Sequence, residues 1–164
     1  MSISTADLSD QFPEDVKIVL PVLGQMFMHY GAFRQFSGMI ATIKCFEDNS
    51  KVAEQVKTSG NGRVLVVDGE ASMRCSLLGD QLAETAAVNG WSGILINGCL
   101  RDVELLAEMP IGVMALASVP RKTIKRDLGE IGLTLNFADS NFVPGHFLYA
   151  DETGIILAAN DLLA

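Results

Sequence analysis

Two short aliphatic runs, Arg63-Val64-Leu65-Val66-Val67 and Ile94-Leu95-Ile96, constrain this chain more than any other feature. Strands without polar alternation are buried on both faces, so they belong to a sheet covered on both sides. Between and beyond them the stretch Leu77–Asp102 organises the rest. Asp80 predicts a helix start as its N-cap, a short carboxylate that can accept from unpaired first-turn N–H groups. Leu82, Ala83, Ala86 and Ala87 then recur at helical spacing, and Gly90 supplies a left-handed stop. Asn97-Gly98 predicts a turn after the second strand, from which Arg101 and Asp102 emerge. A helix of about ten residues spans about 15 Å. A strand returning beside it brings its far end back to the helix start. The pattern therefore predicts one cleft shared by helix-start N–H groups, a guanidinium and a carboxylate.

The flanking sequence predicts a mixed chain. Thr5 and Pro13 are start signals for short helices over 5–11 and 13–20, whereas 26–30 is ambiguous. Gly38–Phe46 alternates as a strand, and the polar turn Glu47-Asp48-Asn49 leads into a helix over 51–59 with Val52 and Val56 on one face. Asn61-Gly62 is a turn, and Asp68-Gly69 ends the first aliphatic strand. Residues 72–78 read as a helical turn, 103–108 as a helix stopped near Pro110, and 112–118 as a strand. Ile131, Leu133, Leu135 and Phe137 fall on one side of a further strand, and 147–149 with 155–157 form a hairpin around Asp151-Glu152-Thr153-Gly154. No repeat, low-complexity segment or linker divides the chain, so residues 1–164 are expected to form one α/β domain.

A chain of 164 residues can bury about 70% of its unfolded surface. Its net charge of −8 argues against a general nucleic-acid surface and against acidic membranes. A small anionic substrate needs only a local positive pocket. The polar, acidic N-terminus lacks a signal-peptide pattern, and Val16–Met28 is too short and too broken by Lys17 and Pro21 to span a bilayer. Cys45, Cys75 and Cys99 are an odd, widely spaced set, read as buried free thiols in a reducing compartment. A cytoplasmic location is expected.

Gly79-Asp80 with Arg101-Asp102 is the constellation that could carry chemistry. Helix-start N–H groups bind carboxylates or phosphates. Arg101 could pair with the same anion or steady charge developing on oxygen. Asp102 suits a hard divalent cation that keeps several waters, as magnesium does. Local pattern alone favours a plain helix cap with two ordinary surface charges. Asp68-Gly69 lacks the glycine pattern of a dinucleotide or methyl-donor site. The basic run Arg121-Lys122 and Lys125-Arg126 reads as a solvated loop or helix face, with RNA or an acidic partner as the alternative. His29 and His146 have no metal-ligand companion nearby in sequence and read as structural. Lys44 is the one lysine in a strand that burial could tune for a Schiff base. Met26, Met28 and Met39 with Phe27, Phe33 and Phe36 read as packing or a subunit contact.

Six segments carry a resemblance: IKCFEDN (43–49), GRVLVVDG (62–69), S-x-R-C-x-L-L-G-D (72–80), NGWSGILINGCLRDV (89–103), IG-x-x-ALA-S-x-P (111–120) and LYAD-x-TGII (148–156). They resemble the regulator of ribonuclease activity A (RraA-like) family over nearly the whole chain. That family includes the 4-hydroxy-4-methyl-2-oxoglutarate aldolases. Its aldolase members are distinguished by Gly-Asp followed by Arg-Asp, and both halves stand intact here as Gly79-Asp80 and Arg101-Asp102. Members that inhibit the degradosome endoribonuclease tend to lack one or both.

The resemblance implies an α/β/β sandwich-like fold of the swivelling-domain type, with mixed sheets, assembled as a homotrimer with sites near subunit boundaries. It implies that N–H groups around Gly79, Asp80, Gln81 and Leu82 hold the carboxylate of a pyruvoyl group. Arg101 would stabilise the enolate, and Asp102 would anchor Mg2+ or Mn2+ largely through water. The expected activity is class II cleavage of 4-hydroxy-4-methyl-2-oxoglutarate, a small 2-keto diacid, with oxaloacetate decarboxylation through the same enolate. Metal-bound water or the Asp80 carboxylate would take the hydroxyl proton. The alternative is a non-catalytic module that binds a ribonuclease.

Overall fold

The computed structural model describes residues 4–20 and 27–164. Helix α1 (Thr5–Gln11) is capped by the Ser4 hydroxyl, which accepts from the Asp7 N–H at 3.1 Å. Strands β1 (Val16–Ile18), β2 (Met28–His29) and β3 (Phe36–Lys44) follow. Helix and strand then alternate: α2 (Ser50–Val56), β4 (Val64–Asp68), α3 (Asp80–Val88), β5 (Gly93–Leu100), α4 (Val103–Leu106) and β6 (Gly112–Ser118). The remainder is β7 (Glu130–Ile131), β8 (Leu135–Phe137), β9 (Ser140–Phe142), β10 (Phe147–Ala150) and β11 (Ile155–Ala158).

The main sheet runs β1-β11-β10-β3-β4-β5-β6-β2, with β7 added on β3. The pairs β3–β4, β4–β5 and β5–β6 are parallel, while β1–β11, β10–β11, β10–β3 and β2–β6 are antiparallel. The sheet is therefore mixed, as expected. Period-two alternation sends neighbouring residues of the central strands into two cores. Ile43, Leu65, Val67, Ile94 and Ile96 meet Val52, Val56, Ala83 and Ala86 of the helices. Val64, Val66, Leu95 and Met114 meet Leu135, Phe142, Leu148 and Ile155 on the other face. Every residue of β4 and β5 is buried, which is why both runs are aliphatic without alternation.

Several local expectations give way to partners distant in sequence. Residues 13–15 form a turn and Val16–Ile18 a strand, not a helix, because β1 pairs with the open side of β11 in the register Val16↔Ala158. Asn97-Gly98 is no turn. It stays inside β5, with a register shift against β6 between Ile96 and Cys99 and the Asn97 amide donating to Asp68 Oδ1 at 3.0 Å. Segment 72–78 is not helical; Ser76 bridges Cys99 and Lys122 instead. The single strand expected over 131–137 splits at Gly132 into β7 and β8, leaving Leu135 buried while Ile131 and Leu133 are exposed. The helices expected over 51–59 and 103–108 are shorter, as α2 and α4. Met26 and Pro21 lie outside the described residues. Among the described residues no helix is long and apolar enough to cross a membrane.

Asp48 ties the irregular segment 121–128 to the end of β3. Its buried carboxylate accepts from the Ser50 N–H at 2.9 Å and the Ser50 hydroxyl on Oδ1, and from the Arg126 and Leu128 N–H groups at 2.7 and 3.2 Å on Oδ2. Burial alone would raise this carboxyl, but the hydrogen bonds together outweigh it and hold it at about 2, below the ordinary 3.8. The folded value lies below the unfolded one, so the stabilisation is complete above the ordinary carboxylate range. It is lost as pH falls from about 4 towards about 2. Asp48→Asn should cost about 1–3 kcal/mol at pH 7 and lose less stability than the parent between pH 5 and pH 3, read by urea unfolding. Identical pH dependence in the two proteins would contradict this role.

Candidate active site

The segment before α3 is a strap laid into the end of the sheet. Leu77 and Leu78 are buried. The Ser76 N–H donates to the Arg121 carbonyl at 2.7 Å, the Leu77 N–H to Cys99 at 2.8 Å, and the Arg101 N–H to Leu78 at 2.9 Å. These bonds bring the start of α3 against the end of β5.

Gly79 is the N-cap residue, extended at φ −129, and Asp80 is the first helical residue and not the cap. The cap comes from elsewhere: the Asp80 N–H donates to Asp102 Oδ2 at 3.1 Å. Asp102 occupies the N-cap position of α4 yet makes no side-chain cap there, and its backbone is left-handed at φ 61, ψ 42. A non-glycine residue in that conformation costs of order 1–3 kcal/mol and needs surroundings that enforce it. Space enforces Gly79 in turn. A Cβ there would stand 2.6 Å from Asp102 Oδ2 and 3.6 Å from Arg101 Nε.

Arg101 Nε lies 3.9 Å from Asp102 Oδ2, and its Nη1 donates to the Pro120 carbonyl at 3.4 Å. The two side chains are 38% and 33% exposed, so guanidinium and carboxylate both face an open shelf. The predicted convergence of Gly79, Asp80, Arg101 and Asp102 is thus present within one chain. One expected donor is already engaged, since the Asp80 N–H serves Asp102. The N–H groups of Gln81 and Leu82 have no acceptor inside the helix by first-turn geometry, with that of Gly79 one residue ahead.

For a cation, Asp102 is a partly exposed oxygen ligand, and among the described residues no group of three His, Cys, Asp or Glu side chains converges. One carboxylate with room for waters fits magnesium or manganese and does not fit a closed zinc site.

The other candidates are placed elsewhere. Lys44 is about half exposed and 3.9 Å from Glu70, so it lacks the desolvation a Schiff-base amine requires. Asp68 is buried and accepts from the Glu70 N–H and the Asn97 amide. His29 Nε2 meets the Asp151 carbonyl at 2.7 Å. All three cysteines are free and buried; burial pushes the Cys45 thiol up to about 12 and raises Cys75 and Cys99 as well. Phe36 packs in the core, Met28, Phe33 and Met39 are exposed, and Phe27 lies 6.0 Å from Phe137. The basic run is an irregular loop and not a helix face. The strap and the Pro120 carbonyl were not foreseen from the sequence, where Val119-Pro120 after β6 is their one trace.

Fold and site together define a mixed α/β protein with a carboxylate and a guanidinium gathered at one helix start. The chain matches the RraA-like family, described as Aldolase/RraA, over residues 5–157, and it belongs to that family. A protein of Xanthomonas campestris pv. campestris (strain 8004) is 52% identical over 162 residues, covering 99% of this chain and 95% of its own. One from Pseudomonas fluorescens (strain Pf0-1) is 51% identical over 158 residues, covering 96% and 94%. Both carry the provisional name 4-hydroxy-4-methyl-2-oxoglutarate aldolase. Among solved structures, one from Geobacillus kaustophilus HTA426 described as S-adenosylmethionine: 2-dimethylmenaquinone methyltransferase is 44% identical with TM-score 0.93, covering 98% of each chain. The RNA-processing inhibitor RraA from Thermus thermophilis is 39% identical with TM-score 0.91, covering 99% of this chain and 98% of its own.

Gly79→Ala should displace the Asp102 carboxylate and break the α3 cap. The expected loss is about 0.5–2 kcal/mol in chemical denaturation, with the circular dichroism of the native state retained. Unaltered stability would contradict the close approach.

Proposed function

We propose that this protein is a divalent-metal-dependent pyruvate aldolase. It would cleave 4-hydroxy-4-methyl-2-oxoglutarate to pyruvate and decarboxylate oxaloacetate as a second activity. The observation that carries this is the Asp102 carboxylate bonded to the Asp80 N–H, with the Arg101 guanidinium beside it at an open helix start. The provisional aldolase names of the Xanthomonas and Pseudomonas relatives support it.

In this reading the N–H groups of Gln81 and Leu82, with that of Gly79, receive the carboxylate of the pyruvoyl group. Asp102 would hold Mg2+ or Mn2+ largely through water, and a bound cation would supply Lewis-acid polarisation of the 2-keto group. The substrate hydroxyl gives up its proton, and Asp80 at the first helical position is this chain's candidate acceptor. The bond between C3 and C4 then breaks. Its electron pair moves onto the 2-keto oxygen as an enolate, and the departing half leaves as a second pyruvate. Arg101 stabilises the enolate charge until a proton returns to carbon. Decarboxylation of oxaloacetate passes through the same enolate, with carbon dioxide as the departing half. The shelf is open in the single chain, and a homotrimer would close it, with a neighbouring subunit adding a further acid.

The likeness to the Thermus RNA-processing inhibitor favours a second reading, a ribonuclease-binding module. Pull-down of a ribonuclease with no cleavage activity would support it. A methyl-donor site finds little support, because the loop after β4 runs Gly69-Glu70-Ala71 without the glycine-rich pattern.

Arg101→Ala and Asp102→Ala should each lower turnover of both substrates by at least about a hundredfold while the fold survives. Lactate dehydrogenase coupling with excess magnesium reads this, and EDTA should suppress the parent activity. Undiminished turnover in either variant would remove the assignment.

A further inference from the structure

A hollow of about 660 Å³ opens beside the strap, among the segments that follow β3, β4 and β6. Its charged lining is Arg74, Arg121, Lys122 and Arg126 against a single Glu47, on a chain whose net charge is −8. Arg74 is committed to Glu47 at 2.5 Å, and that pairing holds the Glu47 carboxyl below its usual range. Arg121, Lys122 and Arg126 have no salt-bridge partner among the described residues.

Three like charges around one hollow repel one another unless an anion joins them. The loop is nevertheless held in place from below. Asp48 accepts from the Arg126 and Leu128 N–H groups, and the buried Thr123 hydroxyl donates to Asn49 Oδ1 at 2.8 Å. The rest of the wall includes Cys75 and Ile124. An inorganic ion would leave that apolar wall unmatched, whereas the methylenes of an organic acid would cover it. The volume also suits a small organic molecule. Arginine forks pair the two oxygens of a carboxylate side by side.

We propose that this hollow binds a small organic di- or tricarboxylate, with Arg121 and Arg126 holding its carboxylates. The hollow adjoins the Arg101 shelf, since Arg101 donates to the Pro120 carbonyl and Ser76 to that of Arg121. The same chemistry could therefore come from the far carboxylate of a diacid substrate or from a separate diacid acting as an effector. The proposal stands on the hollow's charge and does not require the aldolase reading.

The test is calorimetric titration of the full chain with succinate at constant ionic strength and without added metal, with dimethyl succinate as the uncharged control. Succinate should bind and dimethyl succinate should not. The Arg121→Gln/Arg126→Gln double variant should weaken binding by at least about tenfold, while Arg101→Ala leaves it within about twofold. If the double variant loses its native circular dichroism, Arg121→Gln alone decides, with a weakening of at least about threefold. No succinate binding, or binding lost in Arg101→Ala but kept in the loop variants, would overturn the proposal. In the cleavage assay, competitive inhibition by succinate with a raised KM for the diacid in the double variant identifies the substrate's own carboxylate. A change in kcat without competition identifies a separate effector. Absence of cleavage would remove the aldolase reading and leave the succinate titration standing.

Discussion

The hydrogen bond from the Asp80 N–H to the Asp102 carboxylate joins the start of α3 to the end of β5, and the site depends on it. A helix cap of this kind is worth about 1 kcal/mol, while the left-handed backbone of Asp102 costs of order 1–3 kcal/mol. The cap alone does not hold the arrangement. The strap and its neighbours supply the difference: Arg101 N–H to Leu78, Val119 N–H to Leu100 and Leu106 N–H to the Asp102 carbonyl, at 2.9 Å each. Burial of Leu77 and Leu78 anchors the strap to the helix-side core. The strain sits where the Asp102 carboxylate is aimed away from its own helix and towards another.

Placing that carboxylate at a helix N-terminus is favourable by about 0.3–1 kcal/mol. It also changes what the helix start can accept. Under the proposed reading a substrate carboxylate arrives at the same helix end, and two such charges 5 Å apart repel by about 3 kcal/mol at an effective dielectric near 20. Arg101 offsets part of this, and a divalent cation held by Asp102 would offset the rest. Under that reading, an aspartate rather than a neutral residue capping α3 would favour a cation beside it.

The parts of this structure that were legible in the sequence are those decided by short-range pattern. The aliphatic runs of β4 and β5 announce burial on both faces, Ala83 and Ala86 mark the buried side of α3, and Gly90 at φ 81 ends it. The meeting of Gly79-Asp80 with Arg101-Asp102 follows from the lengths of one helix and one strand. What was illegible depends on distant partners. Asp80 looks like a cap, but the cap is Asp102, 22 positions later. Asn97-Gly98 has turn chemistry, but the Asn97 amide is satisfied by Asp68 inside the sheet. The strap at Ser76 is defined by Cys99 and Lys122, and β1 by its pairing with β11 near the other end of the chain.

Asp102 braces α3, and under the proposed reading the next two amides and Arg101 face one anion. A crystal structure with pyruvate and magnesium would reveal whether they do. The pyruvate carboxylate should lie within hydrogen-bond distance of the Gln81 and Leu82 N–H groups and of the Arg101 guanidinium, with Asp102 on the metal side. Pyruvate seated away from those amides, with Asp102 turned from both helix and ion, would contradict it.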